Sequence, residues 1–146
     1  MSICHEYIIK KEGIMTRTRK ILVVDDESSI RCLLYDVLSD RGFEVTQASD
    51  GQESLDQMEK NDFDLVITDI QMPRLDGISM LERMDKAGRK ERVIVMTANP
   101  FEDRLSDSRP GRVVTRLLKP FKISSFLDIV IAATANSANS AVIEHQ

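Results

Sequence analysis

Four apolar runs in this chain each end on residues that carry charge or form hydrogen bonds, and this pattern constrains the fold more than any other feature. Ile21-Leu22-Val23-Val24 leads into Asp25-Asp26, and Leu65-Val66-Ile67 leads into Thr68-Asp69. Val93-Ile94-Val95-Met96 leads into Thr97-Ala98, and Val113 to Leu118 leads into Lys119-Pro120. Continuous apolar runs of this length mark strands covered on both faces, as in parallel sheets. A less apolar run from Phe43 to Ala48 reads as a further strand.

Helical spacing separates these runs. Ile30, Leu33, Leu34, Val37 and Leu38 fall on one helical face, and Gly42 is placed to stop that helix. Asp50-Gly51-Gln52-Glu53 has the spacing of a capping box before a helix carrying Leu55 and Met58. Pro73 and Asp76-Gly77 punctuate a loop, after which Ile78, Leu81 and Met84 predict a helix ending near Gly88. Ile123, Phe126, Leu127, Val130, Ile131 and Thr134 form the apolar face of a last helix. Between Thr97 and Val113 only Phe101 and Leu105 offer apolar surface, so a short or irregular helix is expected there.

Five strands alternating with helices predict an α/β fold: one doubly wound, five-stranded parallel sheet in the order 2-1-3-4-5. The 146 residues suit one domain. It is expected over residues 20–134, after a flexible extension (1–19) in which Met15 offers an alternative start, and before an Ala/Ser/Asn-rich tail (135–146). A formal net charge of -4 leaves no overall basic footprint for nucleic acid. No apolar stretch approaches the ~20 residues of a membrane span, and the N-terminus lacks the apolar core of a secretory signal. Cys4 and Cys32 show no metal-binding spacing and read as free thiols in a reducing compartment. A cytoplasmic protein with no membrane or nucleic-acid partner is therefore expected.

Each strand-end residue taken alone has an ordinary reading: an aspartate in a turn, a solvated lysine, a strand threonine. Their joint placement at one edge of a parallel sheet is what points to chemistry. Asp25, Asp26, Asp69, Thr97 and Lys119 would share one crevice, and three carboxylates cannot stay ionised together without compensation. Mg²⁺ suits such a site better than Ca²⁺, because it binds through one or two carboxylates, keeps several waters and meets phosphate oxygens. Asp69, on the middle strand, is placed to act as a nucleophile, since carboxylates do form acyl phosphates.

Residues Lys20 to about Ala133 resemble a response-regulator receiver domain, a member of the flavodoxin-like folds. The resemblance is carried by Ile21 to Glu27, by Asp64 to Asp69 with Met72-Pro73 and Asp76-Gly77, by Val95 to Ala98, and by Leu118 to Phe121. It implies a two-component signalling protein in which Asp69 accepts a phosphoryl group from a phosphohistidine on a sensor histidine kinase or phosphotransfer protein. It further implies that Asp26, Asp69 and the Gln71 carbonyl bind Mg²⁺ directly and Asp25 through a water. Lys119 would pair with the phosphoryl oxygens, Thr97 would swing its hydroxyl toward them, and Lys119-Pro120 would be cis. Gln71 and Asn99 occupy positions that tune phosphoryl lifetime in the family.

One departure stands out. The family's usual aromatic residue, three positions before the lysine, is Arg116 here. With only a short tail after the last helix, output is expected through contact with a downstream protein target, with phosphorylation-dependent homodimers left open. The alternative is a phosphorelay carrier that passes the phosphoryl group to a second histidine protein. An aspartyl phosphatase would need a second Asp two residues after Asp69, where Gln71 stands, so no enzyme activity is expected beyond the protein's own phosphorylation and dephosphorylation.

Overall fold

The computed structural model describes residues 17–99 and 113–135. Five strands, β1 (Lys20–Val24), β2 (Glu44–Ala48), β3 (Leu65–Asp69), β4 (Arg92–Thr97) and β5 (Val113–Leu118), form one parallel sheet in the order β2-β1-β3-β4-β5. The helices are α1 (Ser28–Asp40), α2 (Gly51–Lys60), α3 (Gly77–Lys86) and α4 (Ile123–Thr134). The segment expected to hold a short or irregular helix before β5 lies outside the described residues, as do residues 1–16 and the end of the tail.

The apolar runs are continuous because both faces of the sheet are covered. Leu22, Val24, Val66, Val93 and Val95 pack on one side with Met58 of α2 and Met80, Leu81 and Met84 of α3. Ile21, Val23, Leu65, Ile67, Ile94 and Met96 pack on the other with Leu34 and Leu38 of α1 and Phe126, Leu127 and Val130 of α4. Successive strand residues alternate between these two cores, as the two-residue period of a strand requires. Leu33 and Ile131, counted on the apolar helix faces, are each 43% exposed, because they sit at the margin of a stripe whose centre is Leu34 and Leu38 or Phe126 and Val130.

Gly42 and Gly88 take positive φ just beyond α1 and α3, stopping both helices as their spacing suggests. The capping box at α2 forms in a shifted version. Asp50 accepts from the Glu53 N–H at 2.8 Å, but Glu53 accepts from the backbone and hydroxyl of Ser49, one residue before the cap. Asp76 caps α3 by accepting from the Ser79 N–H. Arg17 and Arg19 pair with Asp64, which also accepts from the Lys20 N–H, tying the chain ahead of β1 to the start of β3. Burial pushes Asp64 up, but the hydrogen bonds from Arg17 and Lys20 outweigh it and hold the carboxyl below its usual range.

The β4–β5 ladder carries one irregularity. Val93 faces Val113, but Ile94 faces Thr115, so β5 holds one extra residue at that step. Beyond it Arg116 lies opposite Val95 and Leu118 opposite Thr97.

Candidate functional site

The carboxyl ends of β1, β3, β4 and β5 converge, and so do the residues that end them. Asp25 follows β1, with its N–H on the Ala48 carbonyl and its side chain fully buried. Its Oδ1 accepts from the Glu27 N–H at 2.9 Å and its Oδ2 from Lys119 Nζ at 3.2 Å. Asp26 is exposed beside it. Asp69 ends β3 half-buried, its Oδ1 accepting from the Ile70 N–H at 2.8 Å and its Oδ2 from Lys119 Nζ at 3.2 Å. Oxygens of Asp25, Asp26 and Asp69 lie within 4.8 Å of one another.

Lys119 reaches this cluster because β5 delivers it there. Its N–H continues the ladder by donating to the Thr97 carbonyl at 2.8 Å, and the following peptide to Pro120 is cis. Thr97 is buried; its hydroxyl accepts from the Asn99 N–H at 3.0 Å and donates to the Asn99 carbonyl at 3.2 Å. Asp69, Gln71, Thr97, Ala98, Asn99 and Lys119 contribute to the walls of a crevice of about 250 Å³. Asp25, Asp26, Asp69, Gln71, Thr97, Asn99 and Lys119 thus come to this one rim. Arg116 lies two residues before Leu118 and is exposed.

Charge in the cluster is unbalanced. Three carboxylates share one directly bonded ammonium, so acidic groups are in excess. Burial, reinforced by the charge of Asp25, pushes the Asp69 carboxyl above its ordinary range despite Lys119. Burial pulls Lys119 down, yet the charges of Asp25 and Asp69 outweigh it and hold the ammonium above the usual lysine value. The donor set is therefore hard oxygen with a deficit of positive charge, and it fits a small divalent cation.

Further residues shape the rim, and of these Arg31 carried no sequence signal. Arg31 of α1 donates from Nη1 to the Asp25 carbonyl at 2.7 Å, fixing the backbone at the paired aspartates. Gly77 packs directly on the backbone of Asp69, and its N–H donates to the Ile70 carbonyl. An apolar groove of about 420 Å³ adjoins the crevice, lined by residues that include Ile30, Leu33, Ala98, Pro120 and Phe121.

The sequence profile of the response regulator receiver domain matches residues 21–140. The chain belongs to the response-regulator receiver family. This receiver domain is 40% identical over 111 residues to sporulation initiation phosphotransferase F of Bacillus subtilis, covering 76% of this chain and 90% of that one. It is 36% identical over 113 residues to chemotaxis protein CheY-3 of Vibrio cholerae, covering 75% and 87%. Among solved structures, the Francisella response regulator 1452 receiver domain superposes with a TM-score of 0.73 at 29% identity, over 80% of this chain and 97% of that one. Response regulator TrrA of Thermotoga maritima, solved in complex with Mg(2+)-BeF, superposes with a TM-score of 0.70 at 31% identity, over 80% and 99%. The flavodoxin-like strand order of the receiver fold is the order found here. No helix among the described residues is long and apolar enough to cross a membrane.

Proposed function

We propose that this receiver domain takes a phosphoryl group on Asp69 from a phosphohistidine of a sensor histidine kinase or phosphotransfer protein, and signals through phosphorylation-dependent protein contacts. The observation that carries this reading is the shared ammonium: Lys119 bonds Asp25 and Asp69 at once, beside an open crevice. In the transfer, a carboxylate oxygen of Asp69 attacks phosphorus as the P–N bond to the donor imidazole breaks. The bonding pair leaves with the imidazole nitrogen, which takes up a proton. Lys119, already 3.2 Å from the Asp69 oxygen, shifts onto the phosphoryl oxygens and offsets the charge they bring. Thr97 gives up its contact with Asn99 and turns its hydroxyl to the same oxygens.

Asp26, Asp69 and the carbonyl of Gln71 would hold Mg²⁺ directly, with Asp25 acting through a bound water. When bound, the ion neutralises the carboxylates and polarises the phosphoryl oxygens. The protein is then no enzyme toward other substrates, and works in the cytoplasm. Arg116, opposite Val95, supplies no aromatic ring, so the output face changes by means other than an inward ring rotation at that position.

A second reading, a phosphorelay carrier, is favoured by the 40% identity to a protein named a sporulation initiation phosphotransferase. The two readings share the acceptor step. Incubation with Mg²⁺ and acetyl phosphate should add the mass of one phosphoryl group in a base-labile linkage, and Asp69→Asn should abolish it. Absence of the adduct, or its persistence in the variant, rules out both. Onward transfer to a histidine phosphotransfer protein then separates the carrier from a terminal regulator.

A further inference from the structure

The loop that follows Asp69 is gripped from outside by a different βα unit. Gly51, at the start of α2, donates its N–H to the Leu75 carbonyl at 3.1 Å. The approach is so close that a Cβ on Gly51 would lie 2.4 Å from that oxygen and 3.0 Å from Leu75 Cβ. One residue earlier, Asp50 is buried and works in two directions. Its Oδ1 caps α2 through the Glu53 N–H, and its Oδ2 pairs with Arg74 Nε at 3.1 Å. Arg74 has a φ of 67°, and among the described residues no other non-glycine residue has a positive φ. L side chains rarely adopt that conformation unless their surroundings hold it.

We infer that Asp50 and Gly51 are positioning residues for the phosphoacceptor loop, with the Asp50–Arg74 ion pair setting the backbone path between Ile70 and Leu75. The inference rests on the proposed acceptor role of Asp69. Neither residue is among the carboxylates of the cluster, so their effect is indirect. The loop is short and closed at its base by the 2.7 Å hydrogen bond from Gly77 N–H to the Ile70 carbonyl. A shift at Arg74 or Leu75 has few torsions in which to dissipate before it reaches Gln71 and the Ile70 N–H, which holds Asp69 Oδ1. The turn after β2 thereby acts on the geometry of a site built by β1, β3, β4 and β5.

The full chain carries the test. Asp50→Asn keeps an acceptor for the Glu53 N–H but removes the charge facing Arg74; Arg74→Gln removes the other charge, and Arg74→Lys restores it. Three quantities are read: the Mg²⁺ concentration giving half-maximal adduct formation from acetyl phosphate, the backbone amide resonances of Ile70 and Gln71 in Mg²⁺-free protein, and the melting temperature. Asp50→Asn and Arg74→Gln should raise the Mg²⁺ requirement roughly two- to fivefold, the fold-change equivalent of a surface ion pair. They should also displace both amide resonances, while Arg74→Lys stays near wild type and Gly51→Ala exceeds them all. If the Ile70 and Gln71 amides keep their wild-type positions, the turn is scaffold alone and the inference is overturned, even where melting drops. Should wild type form no adduct, the acceptor reading fails, and the amide resonances still decide whether the turn governs the loop.

Discussion

A Cβ placed on Gly77 would lie 2.5 Å from the carbonyl oxygen of Asp69 and 3.0 Å from Cα of Ile70. Both are backbone atoms, which cannot rotate out of the way. Gly77→Ala should therefore push the start of α3 off the end of β3. The expected cost is about 1–3 kcal/mol, the range for overpacking a close contact, read by urea denaturation. Adduct formation should fall in the same variant, because the displaced backbone carries Asp69.

Asp69→Asn should raise stability at neutral pH while abolishing phosphorylation. The folded protein raises the pKa of this carboxyl, so it holds the proton better than the unfolded chain does. Its ionisation then removes stability as pH climbs from the ordinary carboxylate pKa through the raised one. The amide escapes that loss. The variant's advantage in denaturation experiments should grow as pH rises through the raised value and vanish below the usual carboxylate range, at about pH 3. An advantage independent of pH would contradict the assignment.

Lys119→Met leaves a fully buried Asp25 carboxylate with the Glu27 N–H as its remaining hydrogen bond to Oδ1 and no cation on Oδ2. Removing one partner of a fully buried pair costs about 3–5 kcal/mol. The Lys119 side chain is 20% exposed, so solvent screening lowers the expectation to about 2 kcal/mol. The sign with pH is the same as for Asp69, because both groups hold their proton more tightly in the folded chain, but the window lies at higher pH. A raised lysine contributes in full below its unfolded pKa, and the contribution is lost as pH rises through the folded value. The gap between wild type and variant should hold steady through neutrality and close above about pH 10.4. Carboxyl NMR titration should show Asp69 moving further up in the variant.

Mg²⁺ should stabilise the wild-type chain by mass action, by about 2.7 kcal/mol at a hundredfold excess over its dissociation constant. Chelation with EDTA should reverse the gain in melting temperature. Asp26 is exposed and lies within the oxygen cluster, so Asp26→Asn should leave the metal-free melting temperature nearly unchanged and sharply reduce the Mg²⁺ response. A full response in that variant would place the ion elsewhere.

Strand identity was legible because runs such as Leu22 to Val24 and Val93 to Met96 are apolar on both faces, as in a covered parallel sheet, and the order followed from their alternation with helices and right-handed crossovers. The rim residues were legible for a related reason: a carboxylate or ammonium directly after such a run has nowhere to go but the sheet edge. The rest depends on tertiary contact. Nothing in the helical spacing distinguishes Leu33 from Leu34, although one is exposed and the other buried. Arg31 looks like any helix-surface arginine until the Asp25 carbonyl is brought within 2.7 Å. The pairing of Asp50 with Arg74 joins two loops that sequence spacing cannot relate, and the shift of Glu53 onto Ser49 is a choice between neighbouring donors.

The extra residue in β5, at the step between Val93 and Ile94, fixes the phase of everything downstream. A strand is a two-position device, and one inserted unit inverts it. With the bulge, Leu117 turns into the core beside Phe126 while Arg116 takes the place opposite Val95. A regular strand would put Val113 and Leu117 on one face; the extra residue lets Val113 pack in the core of Val93 and Leu117 in that of Met96. One strand thereby serves both sides of the sheet, its start packing with Val93 and its end delivering Lys119 to the rim.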